Sequence, residues 1–317
     1  MVDISVILVT YNCNWESLRI TLLSILKQKK VSMQIIIADD GSEYTFDVKI
    51  QKLMEKYSFE NYSILNASTN RGTVLNIANA MKYVKGKYTK TIAPGDFLFD
   101  ETTLYYWTKF MATNDVAVSF GDAVYYFKTT ELTFCKTKGS PVNKKLFKIS
   151  KPKSKCFVDY LVANDTILGA AQLMKTDILN KYLNLIKNKI IYAEDYMIRL
   201  MVYDGINIVY YPSCVIWYEY GTGISTSRDK KWERVLHTDF DVSNNLILER
   251  KSSNFMQKKF KQYLLIKRTI ALNKLIKILL FPSVIIYRSF FRLTKEYIAL
   301  SKDNQNRIKS LFCWLDE

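Results

Sequence analysis

The sequence predicts an α/β fold, with a central, mostly parallel sheet flanked by helices and a helical extension at the C-terminal end. In the first third of the chain, apolar runs of strand length alternate with stretches of helical spacing. Strand–helix–strand units of this kind form parallel strand pairs joined by right-handed crossovers. From Arg228 onward the pattern is helical, and this segment is expected to form the extension.

The first predicted strand, Ser5–Val9, ends at the polar residues Thr10, Tyr11 and Asn12. The segment after it has the apolar spacing of a helix, and Asn14 is a suitable N-cap. This places polar groups at the carboxyl end of a buried strand, where open α/β sheets bind ligands.

The second predicted strand, Ile35–Ala38, ends abruptly at Asp39, Asp40, Gly41 and Ser42. A core strand that ends in two carboxylates places charge at the edge of the sheet. The alternative is an ordinary acidic turn, since Asp, Gly and Ser all favour turns.

A polar helix around Asp47–Lys56 and a strand at Tyr62–Leu65 follow. The sequence Asn70-Arg71-Gly72-Thr73 then opens a helix that is expected to end at Gly86. Arg71 lies where the helix begins, a position suited to binding a diphosphate. The alternative is a solvated surface arginine.

The strand predicted at Tyr88–Ala93 is broken by Pro94 and Gly95, which leaves Asp96 at the edge of the sheet. This is the third polar strand end in the same half of the chain. Because the carboxyl ends of parallel strands meet at one edge, the coincidence predicts a nucleotide-binding crevice there.

The middle of the chain is predicted to contain a helix at Leu104–Met111 and a strand pair, followed by a flexible basic loop at Glu131–Lys155. The strand pair covers residues 115–121 and 123–128. Small residues at Ile167–Gln172 accompany a strand and would let another molecule approach closely.

Two acids, Glu194 and Asp195, lie in the first turn of a predicted helix that is closed by Gly205. They are candidates for acid–base chemistry, and the alternative is ordinary stabilisation of a helix N-terminus.

Strand patterns return at residues 207–211 and 214–218. The hydroxyl-rich loop Gly221–Ser227 lacks the ending of a phosphate-binding P-loop.

The formal charge of +16 predicts an anionic partner. Fourteen Lys or Arg residues against two acids lie between Lys251 and Ser310, where Lys274–Arg288 is also strongly apolar. This segment is expected to lie in the interface of an anionic membrane leaflet, and the alternative is a buried bundle helix. No apolar run is long enough to span a bilayer.

The cysteine and histidine content excludes a His/Cys zinc site. The five cysteines are widely spaced, and the chain has 1 histidine. Reduced, cytosolic thiols are the expected state. The N-terminus has no basic region of the kind that begins a signal peptide.

Taken together, these residues resemble the family 2 glycosyltransferases, which share the GT-A nucleotide-sugar-binding fold. The opening strand from Ser5 to Asn12 resembles the first strand of that family, and Ala38–Ser42 its uridine-binding strand end. Asn70-Arg71-Gly72 resembles the diphosphate-side motif, and Glu194-Asp195 the late acidic pair. The similarity covers about two-thirds of the chain.

The resemblance implies a role for each motif. Asp195 would be the catalytic base, beside Glu194. The nucleotide sugar would be bound by the strand-end residues, with Asp39 and Asp40 on uracil and ribose and Arg71 on the diphosphate. The complete set is Thr10, Tyr11, Asn12, Asp39, Asp40, Arg71, Ala93, Pro94 and Asp96.

One motif departs from the family. Members commonly carry an Asp-x-Asp metal motif after the fourth strand, and here that site is Ala93-Pro94-Gly95-Asp96. Asp96 would be the protein ligand of a Mg²⁺ or Mn²⁺ ion whose shell is completed by diphosphate and water.

The resulting prediction is an inverting hexosyltransferase, with a catalytic domain at residues 1–227 and a basic helical region at residues 228–317 that associates with membrane or acceptor. It would transfer sugar from a nucleotide-sugar donor, expected to be a UDP-sugar, to a lipid-linked glycan acceptor in bacterial surface polysaccharide synthesis, such as capsule or O-antigen. It would lie on the cytoplasmic face of the cell membrane and bind no nucleic acid. The alternative is a non-catalytic scaffold with the same fold in an envelope assembly complex.

Overall fold

A computed structural model describes most of the predicted catalytic region. The described residues are 2–127, 133–135, 141, 144–149, 160–161, 166–221, 223 and 230–250, with 258, 260–262, 264 and 279. Most of the predicted loops at 131–155 and 221–227, and nearly all of the basic tail, lie outside them.

Nine strands form one mixed sheet within the described residues, in the order β3-β2-β1-β4-β8-β6-β9-β5, with β7 beside β6. The four strands β3, β2, β1 and β4 are parallel, and β8 runs antiparallel to β4 and β6. The bounds are β1 Ile4–Thr10, β2 Met33–Asp39, β3 Tyr62–Asn66, β4 Tyr88–Ile92, β5 Phe97–Leu98, β6 Val118–Phe127, β7 Thr133–Cys135, β8 Gln172–Lys175 and β9 Ile208–Glu219.

Helices cover both faces of the sheet. They are α1 Trp15–Leu26, α2 Asp47–Lys56, α3 Thr73–Ala80, α4 Thr103–Thr113, α5 Thr176–Ile186, α6 Met197–Tyr203 and α7 Lys230–Leu248. Short 3₁₀ turns lie at Met81–Tyr83, Lys144–Phe147, Gly169–Ala171 and Glu194–Tyr196. The α/β fold class predicted from the sequence is confirmed.

Over about the first hundred residues the chain forms the strands and helices that the sequence predicts, although helix α3 ends at Ala80 rather than at Gly86. Strands β1 and β2 are parallel, with Ile7 opposite Ile36. The side chain of Asn14 accepts a hydrogen bond from the Ser17 N–H at 2.8 Å, so the predicted N-cap is confirmed. Ile7 packs into one core layer while Val6 and Leu8 pack into the other, since neighbouring residues of a strand point to opposite faces.

Two details beyond residue 114 differ from the sequence prediction. The strand pair expected at residues 115–128 is the single strand β6, whose pairing with β9 shifts register on either side of Asp122. Gly121 makes this possible, because a Cβ there would lie 2.4 Å from Cγ1 of Val215. The signal taken for a turn is therefore an irregularity within one strand. The patterns at 207–218 likewise belong to the single strand β9.

Helix α7 belongs to the core, although it lies in the segment predicted to form a separate region. Phe240, Leu246 and Ile247 are buried, and α7 packs against α6 and the turn before it. The boundary between residues 227 and 228 stays a prediction. Within the described residues, no helix is both long enough and apolar enough to cross a bilayer.

Candidate active site

The ends of β1 and β2 form a hydrogen-bonded unit around Asp39. Thr10 and Asp39 are register partners, and the Thr10 hydroxyl donates to Oδ2 of Asp39 at 2.8 Å. The backbone N–H of Ser42 donates to Oδ1 at 2.7 Å and its hydroxyl to Oδ2 at 2.6 Å. Asn12 is connected to the same turn, because its N–H donates to Oγ of Ser42. The carboxylate of Asp39 therefore organises both strand ends.

Asp40 joins this unit to the start of α3. Its Oδ1 accepts from the Arg71 N–H at 3.1 Å and its Oδ2 from the Gly72 N–H at 2.7 Å. Burial raises the pKa of Asp40, while these two N–H groups and the Arg71 charge oppose the rise. The aspartate is thus held against the helix start that the sequence predicted to bind a diphosphate.

The side chains of Tyr11, Asn12 and Arg71 are exposed around this unit. Tyr11 is 49% exposed, and Asn12 lies in the left-handed region with φ of 44°. The Arg71 side chain faces solvent while its N–H is used by Asp40. These residues are available to a ligand at the carboxyl ends of β1 and β2.

Asp96 is buried against the end of β9. It is 6% exposed, and its Oδ1 accepts from the Glu219 N–H at 3.1 Å. Ala93 and Pro94 are partly exposed, whereas Gly95 is buried with φ of +97°. A Cβ at Gly95 would lie 2.0 Å from Oε2 of Glu219, so a carboxylate from β9 fills the space beside this strand end.

A buried lysine lies beneath the site. Lys90, in the middle of β4, has no exposed surface, and its ammonium donates to the carbonyl of Thr91. Burial lowers the pKa of Lys90 to about 7, against the opposing effect of the nearby Asp96 and Glu194 carboxylates. Lys90 thus links β4 electrostatically to the acidic pair.

Glu194 and Asp195 form a 3₁₀ turn that leads directly into α6. Both are partly exposed. Burial and the neighbouring Asp195 raise the pKa of Glu194 to about 8. Burial also raises the pKa of Asp195 to about 6, against the lowering effect of Arg199. One of two adjacent acids is thereby kept ionised near neutral pH, because two carboxylates in a partly dry site resist ionising together.

The loop before the acidic pair connects it to the strand-end cluster. The carbonyl of Ile191 accepts from the Val74 N–H at 3.1 Å, and a Cβ at Gly72 would lie 2.4 Å from Cγ2 of Ile191. Burial raises the pKa of Tyr192, and the negative charge of nearby Asp40 adds to the rise. The structure therefore brings the predicted donor residues and the predicted base to one site.

The residues at the predicted metal site do not form a complete cation site. Position 95 has no side chain, Asp96 points to the Glu219 N–H, and burial raises its pKa to about 8, which favours the neutral form. Nowhere in the described part of the chain do three His, Cys, Asp or Glu side chains form a group that could hold a metal. We assign no chemical step to a metal, and the Mg²⁺ or Mn²⁺ requirement stays a prediction.

Sequence reasoning missed Lys90, Arg199, Glu219 and Asp239. A lysine within a buried strand was a usable signal for Lys90, since unpaired lysines are rarely buried. Nothing local distinguished Asp239, because its partners lie 46 to 48 residues away along the chain.

A mixed sheet whose polar strand ends lie near a late acidic pair is the arrangement that the sequence resemblance implied for the GT-A class of nucleotide-sugar-dependent glycosyltransferases. The chain belongs to glycosyl transferase family 2: the sequence profile described as "Glycosyl transferase family 2" matches residues 5–163, half of its 317 residues. It is therefore a glycosyltransferase. A search of curated proteins found no match.

Solved glycosyltransferase structures share the fold. S. aureus TarS 1-349 in complex with UDP-GlcNAc is 16% identical, with a TM-score of 0.57, and the match covers 93% of this chain and 82% of that one. The complex of S. aureus TarS 1-349 with UDP is 14% identical, with a TM-score of 0.56, and the match covers 88% of this chain and 75% of that one. The Pyrobaculum calidifontis mannosyltransferase PcManGT, in complex with GDP-Man and Mn²⁺, is 12% identical, with a TM-score of 0.56. That match covers 97% of this chain and 78% of the mannosyltransferase.

Proposed function

We propose that the chain is an inverting glycosyltransferase that transfers a sugar from a UDP-sugar to a glycan acceptor in bacterial surface polysaccharide synthesis. The observation that carries the proposal is the connection of the Glu194–Asp195 turn to the Asp40–Gly72 unit through Ile191. A base on one side of a cleft and a diphosphate site on the other is the arrangement that a single displacement needs.

The donor side follows from the strand ends. Asp39 uses its oxygens on Thr10 and Ser42, so it orders the turn. Asp40 and the half-exposed ring of Tyr11 are assigned to the nucleoside. The Arg71 guanidinium neutralises the leaving diphosphate, whose charge grows as the glycosidic bond to phosphate breaks.

Asp195 is assigned as the general base. The acceptor oxygen attacks the anomeric carbon, its proton passes to the Asp195 carboxylate, and UDP leaves with the electron pair of the broken bond. A pKa of about 6 keeps Asp195 ionised at pH 7 yet makes it a better base than an ordinary aspartate. Glu194, with the higher pKa, stays largely protonated beside it.

A thermal-shift panel tests the donor assignment. UDP-, GDP- and dTDP-sugars are added with Mn²⁺ or with EDTA, and the melting temperature is recorded. A ligand that binds the folded state at a hundred times its Kd stabilises it by ~2.7 kcal/mol. A UDP-sugar is expected to give the largest shift. If a GDP- or dTDP-sugar gives it, the UDP assignment is wrong, and if none shifts the melting temperature, the donor site is wrong.

The acceptor and the location are further parts of the proposal. We assign a lipid-linked glycan as acceptor and the cytoplasmic face of the cell membrane as the location, because an anionic surface would attract the basic tail. Transfer to a lipid-linked acceptor in vesicles, compared with a free oligosaccharide, tests this part separately from donor binding.

A further inference from the structure

We propose that Asp239 is a positioning residue for the transfer reaction, because from helix α7 it holds the loop that carries Glu194 and Asp195. The inference rests on the proposed function of the acidic pair. It assigns to α7, in the predicted C-terminal region, a part in building the active site.

The first observation is the set of hydrogen bonds at Asp239. One carboxylate accepts from three consecutive backbone N–H groups: Ile191 to Oδ1 at 3.1 Å, Tyr192 to Oδ2 at 2.9 Å and Ala193 to Oδ2 at 3.0 Å. The side chain belongs to a residue that is 2% exposed. Hydrogen bonds to an ionised group in such surroundings are about twice as strong as neutral ones.

The second observation is where the held segment lies. Ala193 directly precedes Glu194, so the last of the three N–H groups is one residue from the acidic pair. On its other side the segment contacts α3, where Val74 donates to Ile191 and Gly72 leaves no space for a Cβ. The segment is thus fixed between the donor side and α7.

The third observation is a second connection from α7, beyond the acidic pair. The Arg199 Nε donates to the Ser243 hydroxyl at 3.1 Å and Nη2 to Oδ1 of Asn244 at 2.7 Å. The guanidinium carbon lies 4.2 Å from the ring centre of Phe240. Helix α7 therefore holds the chain both before and after Asp195, through Asp239 and Arg199.

A displacement of about 1 Å in a catalytic group can cost a hundredfold in rate. Asp239→Ala is therefore expected to lower kcat by roughly ten- to a hundredfold while the affinity for UDP changes much less. Asp239→Asn keeps the shape and one acceptor oxygen, so it should fall between wild type and Asp239→Ala. Asp241→Asn, exposed on the same helix, is the matched control and should resemble wild type.

The pH profile separates positioning from a general loss of stability. Three charged groups face Asp195: Glu194 beside it, Arg199 on α6 and Asp239 on α7. Tyr196 is the next residue of the turn, and Lys90 on β4 faces Glu194. Burial is the main cause of the raised pKa of Asp195, and the charge of Asp239 adds to the rise. Asp239→Asn is therefore expected to shift the acid limb of kcat/KM to lower pH, whereas Asp241→Asn should leave it in place.

Hydrogen exchange tests the contact without reference to activity. The amides of Ile191, Tyr192 and Ala193 should exchange faster in Asp239→Asn and Asp239→Ala than in wild type or Asp241→Asn. If Asp239→Ala does not fold, Asp239→Asn decides both measurements.

The outcomes are distinguishable. Unchanged exchange, unchanged kcat in a folded Asp239→Ala variant, or equal losses of UDP affinity and kcat would each overturn the positioning role. If wild type transfers no sugar from any donor, the proposed function fails. Faster exchange in the variants would then show the loop contact alone, and the inference about the reaction would fall with the function.

Discussion

At the scale of single residues, Asp195 and Glu194 differ in what surrounds them. Burial raises the pKa of both acids. For Glu194 the next largest effect is the raising charge of Asp195, whereas for Asp195 the next largest effects, a backbone hydrogen bond and the Arg199 charge, lower the pKa. Asp195 is thus the acid of the pair that is ionised at neutral pH. Asp195→Asn removes the base, so the rate of transfer should fall by on the order of 10²–10⁴-fold. The measurement is kcat with saturating donor, and the affinity for UDP should be retained.

Glu194→Gln is the comparison for that variant, because it changes the neighbouring acid in the same turn. Its effect should be smaller than that of Asp195→Asn. Near wild-type turnover in Asp195→Asn, with loss in Glu194→Gln, would reverse the two roles.

The pH dependence of wild type follows from the same pair. A base must be deprotonated to accept a proton, and burial raises the pKa of Asp195 from 3.8 to about 6. Activity is therefore present above pH 6 and should fall about tenfold per pH unit well below it. The measurement is kcat/KM between pH 4.5 and 8 at ~0.1 M salt. An acid limb centred near pH 4 would mean that an unperturbed carboxylate is responsible.

Arg71 is exposed and suited to a charge interaction with the leaving diphosphate. Arg71→Ala should weaken binding of UDP and UDP-sugar by roughly tenfold or more, since hydrogen bonds to charged groups contribute about 1.5–3 kcal/mol, and should leave uridine binding unchanged. Titration calorimetry with the three ligands checks this. Lys82→Ala, just beyond the other end of α3, is the control, and an equal loss for uridine would contradict the diphosphate role.

At the scale of elements, the alternation of apolar runs in the first third of the chain predicted strands and helices well. Helix α2 has the predicted bounds, and Asn14 caps α1. The two long strands were harder to predict, because Gly121 and Pro212 are turn signals in a sequence but lie inside β6 and β9. Asp39, Asp40, Arg71 and Asp195 could be found from strand and helix ends, whereas Asp239 depends on contacts between distant elements.

The contact between α3 and the loop before the acidic pair gives a prediction at this scale. Gly72 has φ of +91° and a Cβ there would lie 2.4 Å from Cγ2 of Ile191, while Gly205 has φ of +74° and open space around its Cβ position. Gly205→Ala should lower the free energy of unfolding by only ~1–2 kcal/mol, the cost of placing a residue with a Cβ in the left-handed conformation. Gly72→Ala should cost more, because φ of +91° with ψ of 157° is a backbone conformation that essentially only glycine adopts, at ~1–3 kcal/mol. Overpacking against Ile191 adds a further ~1–3 kcal/mol, and transfer should fall. Urea unfolding measures both free energies, and equal costs would contradict the tight contact at Gly72.

At the scale of the whole molecule, charge and packing are unevenly distributed along the chain. Of the fourteen basic residues between Lys251 and Ser310, ten lie at or after Lys267. Phe260, before them, is 1% exposed and lies edge-on to Tyr203, with ring centres 6.2 Å apart. Leu264 packs against the same core cluster. A truncation that starts near residue 254 would therefore remove core side chains together with the charge.

Truncation after residue 265 separates these effects. The melting temperature and UDP-sugar binding should stay close to wild type, because Phe260 and Leu264 are kept. Binding to anionic vesicles should be lost, since each basic residue near such a surface contributes ~1 kcal/mol. For the full chain the vesicle interaction should weaken with salt, because screening acts over ~10 Å at 0.1 M, and neutral vesicles are the control. Full-length protein that ignores anionic vesicles at low salt would contradict the membrane role. A truncated protein that unfolds would instead favour the alternative interpretation, in which the removed segment contributes a buried bundle helix.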